Sequence, residues 1–162
     1  MLPLASRPLD HPSLLPLGFH PVSLDDIGRI CVDLFPLSAT RPIIMQGLQQ
    51  FIGRLIASGL TAEIWLDGSF LSEKIDPADV DIVVRCDAIS QYDSGTPEQR
   101  AAIDWVIANQ KISLKCDSYP LFYYPPGHPL HTEGEWWYSY WHVKWGFSRE
   151  EDPKGIAVIR IP

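Results

Sequence analysis

The sequence contains no apolar run close to the roughly 18–20 residues that a membrane-spanning helix needs, so we predict no membrane partner. Residues 1–18 are interrupted by prolines and have no basic segment leading into an apolar stretch, so we expect no signal peptide. Only three cysteines are present, and no two have the CxxC spacing of a zinc ribbon or redox motif. Together these shortages predict a reduced, cytoplasmic protein.

Positive charge is also scarce. Lys and Arg number 13 against 20 Asp and Glu, which gives a formal net charge of -7. This balance disfavours a protein that binds nucleic acid through bulk charge, although a local basic groove remains possible. Because 46% of the 162 residues are hydrophobic, the chain can form one domain with a substantial core.

Proline, in contrast, is abundant, and its distribution divides the chain. Five of the 15 prolines fall in residues 1–22, which we interpret as a proline-rich N-terminal arm, extended and either packed on the body or loose. Residues 23–162 form the predicted domain. We predict helices after Ser23, Thr40 and Thr96 and over 136–145, and strands over 62–66, 80–84, 112–124 and 156–161. This order of elements indicates an α+β or α/β domain.

Two acidic residues at the start of a predicted strand carry the clearest chemical signal. Leu66–Phe70 forms the end of one strand and a Gly-Ser turn, and Asp79-Val80-Asp81 opens the next strand. Because strand side chains alternate between faces, Asp79 and Asp81 share one face while Val80 points into the core. Two carboxylates roughly 6–7 Å apart along a strand repel each other unless a cation lies between them. Oxygen donors of this kind suit Mg²⁺.

The Gly68-Ser69 turn complements that cation. Glycine lets backbone N–H groups approach a phosphate closely, and the serine hydroxyl supplies a further donor. A third acid is expected from a neighbouring strand, and Asp117 lies mid-strand in a largely apolar run. Asp67, directly before the glycine, is interpreted as a turn-forming residue. Lys74 is the only cationic residue within five positions after Ser69.

The order Gly68-Ser69, nine residues, Asp79-x-Asp81 and a later strand Asp117 resembles the polymerase β-like nucleotidyltransferase superfamily. Within it, the chain is most similar to the small stand-alone minimal nucleotidyltransferases. One branch of these has a proline-rich N-terminal arm and an Arg followed by Pro-Lys-Gly near the C-terminus, as in Arg149 and Pro153–Gly155 here. The resemblance is carried mainly by residues 62–85.

The resemblance implies a single α+β domain in which helices back a mixed β-sheet. It also implies a catalytic centre with two Mg²⁺ ions, for which Mn²⁺ can substitute. In the superfamily the first two acids bind both ions, which assigns Asp79 and Asp81 to that role. The third acid, Asp117 here, would help to hold the catalytic metal and assist deprotonation of the attacking hydroxyl.

The resemblance further implies the substrates. Gly68 and Ser69 would hold the triphosphate of an NTP such as ATP, and Lys74 would contact the leaving pyrophosphate. The NMP would be transferred to a hydroxyl acceptor on a protein or an RNA. Small proteins of this type often modify a partner toxin as the antitoxin of a pair, so the resemblance implies a toxin–antitoxin or defence role.

Three interpretations remain open at this point. Residues 70–74 read Phe-Leu-Ser-Glu-Lys where minimal nucleotidyltransferases often have Ala-Arg-Gly, which favours a rival function as a catalytically silent module that docks a partner protein. Trp136–Trp145 is either a base-stacking platform or an element of core and interface packing. Arg149 and Lys154 either bind phosphate or cap the last strand.

Overall fold

A mixed five-stranded sheet forms the centre of the protein. The computed structural model describes residues 11–162, so the start of the predicted proline-rich arm, residues 1–10, lies outside the described residues. The strands are β1 (Gly18–Pro21), β2 (Ala62–Asp67), β3 (Val80–Asp87), β4 (Cys116–Tyr123) and β5 (Gly155–Ile161). Their order is β1-β5-β2-β3-β4. The β3–β4 and β1–β5 pairs are parallel, while β2 is antiparallel to both β3 and β5.

Three helices begin where the sequence predicts, after Ser23, Thr40 and Thr96, whereas the helix predicted over 136–145 begins earlier, at His131. The helices are α1 (Leu24–Gly28), α2 (Arg41–Ala57), α3 (Pro97–Ile107), α4 (Lys111–Leu114) and α5 (His131–Gly146). Ser23 and Thr96 each form a capping box with the residue three positions later, which satisfies backbone N–H groups of the first turn. Pro97 occupies the first turn of α3, where its missing N–H costs nothing. A π-helical turn, Arg29–Asp33, continues α1.

The helices cover both faces of the sheet. On one face, α1, α2 and α3 pack on the main core, which includes Leu48, Phe51 and Ile82. On the other face, α5 contributes Trp141 and Trp145 to a second cluster. The prediction of a single α+β domain with a mixed sheet backed by helices is therefore confirmed.

Residues 11–22 pack on this body. β1 pairs with β5 at the edge of the sheet, and Val22 N donates to Val158 O at 2.9 Å. Further towards the N-terminus, Leu14 N donates to Leu71 O at 2.9 Å, and Gly155 N donates to Leu15 O at 3.0 Å. The described part of the arm thus lies against the segment that follows the Gly68-Ser69 turn and the start of β5.

One predicted strand is partly wrong. Residues 112–124 do not form a continuous strand, because α4 occupies Lys111–Leu114 and β4 begins only at Cys116. The side chain of Ile112 is 94% exposed, so its apparent alternation with Leu114 reflects one helical turn rather than a pleat. Lys115 then adopts a left-handed conformation, with φ of 59°, that ends the turn.

The three cysteines, Cys31, Cys86 and Cys116, are free and buried. Burial raises the pKa of each thiol to about 12, so all three behave as small apolar side chains. This confirms the prediction that the chain has no disulfide framework. None of the helices in residues 11–162 combines the length and apolar character needed to cross a membrane.

Candidate active site

Strand register brings three of the carboxylates into one row. Asp67 at the end of β2 pairs with Asp81 of β3, and Asp81 pairs with Asp117 of β4. Neighbouring strands lie roughly 4.8 Å apart, so the three side chains stand side by side on one face of the sheet. Asp79, one residue before β3, joins them through a shared partner described below. Asp67, Asp79, Asp81 and Asp117 are called the acid cluster from here on.

The Gly68-Ser69 turn is built against this cluster. Gly68 has φ of 84° and ψ of −166°, a backbone conformation that is essentially restricted to glycine. A Cβ atom at this position would overlap with the Oδ2 atom of Asp81. Ser69 follows and begins a short 3-10 turn over Ser69–Leu71. The predicted glycine is therefore required both by its backbone angles and by the close approach of a carboxylate.

Gly68→Ala is expected to lower the free energy of unfolding by at least ~2 kcal/mol, because it combines backbone strain with overlap at Asp81. Gly53→Ala is the matched control, because Gly53 lies in the exposed face of α2 with nothing within 4 Å of an added Cβ. That control should raise stability by about 0.5–1 kcal/mol. Urea unfolding of both variants measures the difference, and a Gly68→Ala protein as stable as the wild type would contradict the close approach.

A lysine that sequence analysis missed lies inside the cluster. The Nζ atom of Lys111 is 3.0 Å from Oδ2 of Asp79 and 3.0 Å from Oδ2 of Asp117. Asn109 donates from Nδ2 to the other oxygen of Asp117, Oδ1, at 2.7 Å. Hydrogen bonds to Asp117 and Asp79 raise the pKa of Lys111, so its ammonium group stays charged. Both oxygens of Asp117 therefore have a donor from the connection between α3 and β4.

A second lysine holds the other end of the row. The Nζ atom of Lys154 lies 2.7 Å from Oδ2 of Asp67, whose side chain is only 2% exposed. Burial raises the pKa of Asp67, and the charge and hydrogen bond of Lys154 oppose that rise. The interpretation of Asp67 as a turn-forming residue is thus incomplete, because its carboxylate is a buried member of the cluster. Lys154, which the sequence left between two roles, forms an ion pair with it.

The acids differ in how readily they hold a proton. Burial, followed by the charges of Asp79, Asp117 and Asp67, raises the pKa of Asp81 to about 7. For Asp117, burial also acts to raise the pKa, but hydrogen bonds from Asn109, Lys111 and Tyr119 outweigh it and lower the pKa below its usual range. One row therefore contains a carboxyl that titrates near neutrality beside a carboxylate that stays ionised.

The carboxylate donors fit a divalent cation in chemistry, although not in their present arrangement. Within residues 11–162, no three His, Cys, Asp or Glu side chains are placed so that they could hold one metal ion. Lys111 and Lys154 take oxygens of Asp79, Asp117 and Asp67 instead. Burial and the charges of three neighbouring acids raise the pKa of Asp81, and carboxylate oxygens are the donors that Mg²⁺ prefers. In their donor atoms alone, these carboxylates are of the kind that Mg²⁺ and Mn²⁺ take.

Lys74 lies in a loop that is fixed by a buried arginine. The fully buried guanidinium of Arg41 donates to five backbone carbonyls, those of Cys31, Phe70, Ser72, Lys74 and Ile75. The bond from Nη2 of Arg41 to Lys74 O is 2.6 Å. The Lys74 side chain is half-buried and forms no ion pair with a carboxylate of residues 11–162. The structure thus brings Lys111 and Lys154, rather than Lys74, into contact with the acids.

The aromatic segment divides between packing and exposure. Trp141 and Trp145 are buried against the sheet, and Trp141 lies 4.9 Å from Tyr119 between ring centroids. Trp136 and Trp137 are 58% and 42% exposed, and Trp136 stacks on Tyr140 with an interplanar angle of 15°. One face of α5 therefore packs in the core, as one of the two interpretations predicted, while the other presents aromatic rings to solvent.

Three residues at or near the cluster were not predicted from the sequence: Asn109, Lys111 and Arg41. Asn109 and Lys111 precede Asp117 by eight and six residues, and only the reversal of the chain between α3 and β4 brings them back to it. The signal available in the sequence was the presence of these two polar residues shortly before the strand that contains Asp117. Arg41 is the first residue of α2, and nothing in the sequence distinguishes it from an ordinary helix-terminal arginine.

Comparisons with known proteins identify the family of the chain and no activity. No curated protein and no solved structure matches the sequence. One family model matches residues 8–160 and therefore covers nearly the whole chain. The family is described as one of unknown function, and the chain belongs to this family, DUF6932.

Proposed function

We propose that the protein is a divalent-metal-dependent nucleotidyltransferase, which moves an NMP from an NTP onto a hydroxyl acceptor. The supporting observation is the convergence of four carboxylates at one end of strands β2, β3 and β4, directly beside a glycine turn that approaches one of them closely. Asp81 lies between Asp67 and Asp117 in the strand register, and Gly68 leaves room for its Oδ2 atom. Carboxylates beside a glycine turn are the kinds of group that position and neutralise a metal-bound triphosphate in phosphoryl transfer.

The reaction would form one P–O bond and break another. The acceptor oxygen attacks the α-phosphorus, the bond to the oxygen that bridges the α- and β-phosphates breaks, and pyrophosphate leaves. The acceptor proton passes to a carboxylate and then to solvent. When bound, two Mg²⁺ ions would neutralise the negative charge of the triphosphate and polarise the O–H bond of the attacking hydroxyl.

Each acid has a role that fits its environment. Asp79 and Asp81 would hold the ions, and Asp81 would release its proton as positive charge enters the cluster, because its raised pKa results from burial and from neighbouring negative charge. Asp117 would help to hold the catalytic ion, orient the acceptor hydroxyl and accept its proton. Hydrogen bonds from Asn109 and Tyr119 keep that carboxylate ionised and fixed in direction.

The triphosphate would lie at the turn. Gly68 and Ser69 would present backbone N–H groups and a hydroxyl to the phosphates, and Lys74 would contact the leaving pyrophosphate from a loop that Arg41 holds in place. ATP is one NTP of the expected class, and the acceptor would be a hydroxyl on a protein, such as a partner toxin, or on an RNA. The cytoplasm is the proposed location, since three free thiols suit a reducing compartment.

A labelling experiment tests the proposal. The purified protein is incubated with each α-³²P-labelled NTP, with a cell lysate and with Mg²⁺ or Mn²⁺, and protein and RNA fractions are separated. We expect one labelled band that disappears in EDTA and in the Asp79→Asn/Asp81→Asn double variant. The absence of a metal-dependent band with all four nucleotides, from a protein shown to be folded, would contradict the function.

The rival function as a non-catalytic docking module also has a specific observation in its favour. Two lysines already neutralise three of the four acids, and α5 exposes an aromatic face that includes Trp136, Trp137 and Tyr140. In this case the partner would bind the wild type and the double Asp variant equally well. Trp136→Ala together with Trp137→Ala would weaken binding. Pull-down with these variants, run beside the labelling experiment, separates the two functions.

A further inference from the structure

Lys111 has the contacts of a cation in a carboxylate site. Its Nζ atom lies 3.0 Å from one oxygen of Asp79 and 3.0 Å from one oxygen of Asp117, so a single ammonium group bridges two acids from different strands or strand ends. The side chain is nevertheless 54% exposed, whereas those of Asp79 and Asp117 are 16% and 12% exposed. The two acids thus lie largely buried at the start of β3 and β4, while the lysine reaches them from the solvent side.

The surrounding structure fixes the backbone position of Lys111 but not the position of its side chain. Asn109 and Lys115 both have left-handed backbone angles, with φ of 60° and 59°, and they bound the single turn of α4. Gly47 of α2 admits this turn, because a Cβ at Gly47 would overlap with the carbonyl of Leu114. The α4 turn is therefore closely packed against α2, whereas the side chain of Lys111 is long and flexible and can rotate towards solvent.

We propose that Lys111 is a displaceable counter-ion of the acid cluster, which occupies the oxygens of Asp79 and Asp117 and competes with a divalent cation for them. The inference rests on the proposed function for the identity of the metal ligands and adds a regulator of metal occupancy. Lys111 stabilises the metal-free chain, because it offsets repulsion between acids. It must leave Oδ2 of both acids before a divalent cation can bind there, and it therefore weakens metal affinity.

The test measures metal binding without nucleotide or turnover. Mn²⁺ is titrated into metal-free wild type, Lys111→Met and Lys111→Arg proteins at pH 7.5, and free Mn²⁺ is followed by electron paramagnetic resonance. Lys111→Met removes the competing charge and should tighten Mn²⁺ binding by about tenfold, from the repulsion of one unit charge at short range. Lys111→Arg keeps the charge and should bind Mn²⁺ no more tightly than the wild type.

Arg160→Met is the matched control. Arg160 is an exposed cation that pairs with a carboxylate, Glu63, at 3.4 Å, and Glu63 lies at the opposite end of β2 from Asp67. Its removal makes the same change in net charge but should leave Mn²⁺ affinity within about twofold, because exposed charges more than a Debye length apart are largely screened. The melting temperature of metal-free Lys111→Met should fall below that of the wild type, and Mn²⁺ should restore it.

The outcomes separate this inference from the proposed function. Equal or weaker Mn²⁺ binding by Lys111→Met, or the same tightening in Arg160→Met, overturns the counter-ion role and leaves the labelling experiment to decide the function. Absence of Mn²⁺ binding in both the wild type and Lys111→Met also overturns it. Tighter binding by Lys111→Met in a protein that never transfers a nucleotide supports the counter-ion role and removes the proposed function.

Discussion

Asp81→Asn is expected to raise the free energy of unfolding of the metal-free protein at pH 8. Burial and three neighbouring acids raise the pKa of Asp81 from 3.8 to about 7 in the folded chain. Between those two values the folded state binds more protons than the unfolded state, so stability falls as the pH rises through this window and is lowest above it. At about 1.4 kcal/mol per pKa unit, the upper bound is about 4 kcal/mol, and we expect about 2–4 kcal/mol. Asparagine has a similar shape and carries no charge at any of these pH values.

Urea unfolding in EDTA at pH 5 and pH 8 measures this effect. The wild type should lose stability between the two pH values, and Asp81→Asn should lose much less. Asp76→Asn is a control of opposite sign, because hydrogen bonds from the backbone of Ala39 and the side chain of Ser38 lower the pKa of Asp76. That variant should be less stable than the wild type at pH 8. An Asp81→Asn protein no more stable than the wild type at pH 8 would show that the cluster is not short of positive charge.

The sequence was sufficient to predict the central part of the site. Strand periodicity placed Asp81 on one face and Val80 and Ile82 in the core, and the structure confirms that Val80 and Ile82 are buried. The Gly-Ser turn was predicted because glycine lets the backbone approach a phosphate closely, and the structure shows a glycine-type backbone conformation and a close approach to Asp81 at this position. Asp117 was expected on a neighbouring strand, and the parallel pairing of β3 with β4 places it directly beside Asp81. The acidic pair and the glycine turn could be predicted from residues close in sequence, whereas the place of Asp117 depends on the pairing of two strands.

The positive charges of the site could not be predicted in the same way. Lys154 and Asp67 are 87 residues apart, and only the antiparallel pairing of β2 with β5 brings them together. Lys111 reaches the acids from the short turn of α4, in a segment where residues from 112 onwards had been predicted as a strand. The prediction that favoured Lys74 used proximity in sequence to Ser69. The residues that actually lie near the acids, such as Lys111, are brought there by the reversal of the chain before β4.

The catalytic role of Asp117 predicts a specific kinetic defect. Asp117→Asn removes the charge that would orient the acceptor and take its proton, and loss of a general base typically costs about 10²–10⁴ in rate. The fold should tolerate the change, because an asparagine oxygen can still accept from Asn109 and Lys111 still has Asp79. We therefore expect kcat for nucleotidyl transfer to fall by about 10²–10³ while KM for the NTP changes by less than about fivefold, since only transition-state stabilisation is lost.

Pyrophosphate release in the presence of the labelled acceptor measures both constants. Asp104→Asn provides the control, because Asp104 accepts a hydrogen bond from Tyr92 at 2.8 Å, as Asp117 accepts one from Asn109 at 2.7 Å, but it lies on α3 outside the acid cluster. Its kcat should match the wild type. An unchanged kcat in Asp117→Asn would exclude the residue as the base. A rise in KM for the NTP without loss of kcat would instead place Asp117 among the groups that bind the substrate in its ground state, because interactions made equally in the ground and transition states alter KM alone.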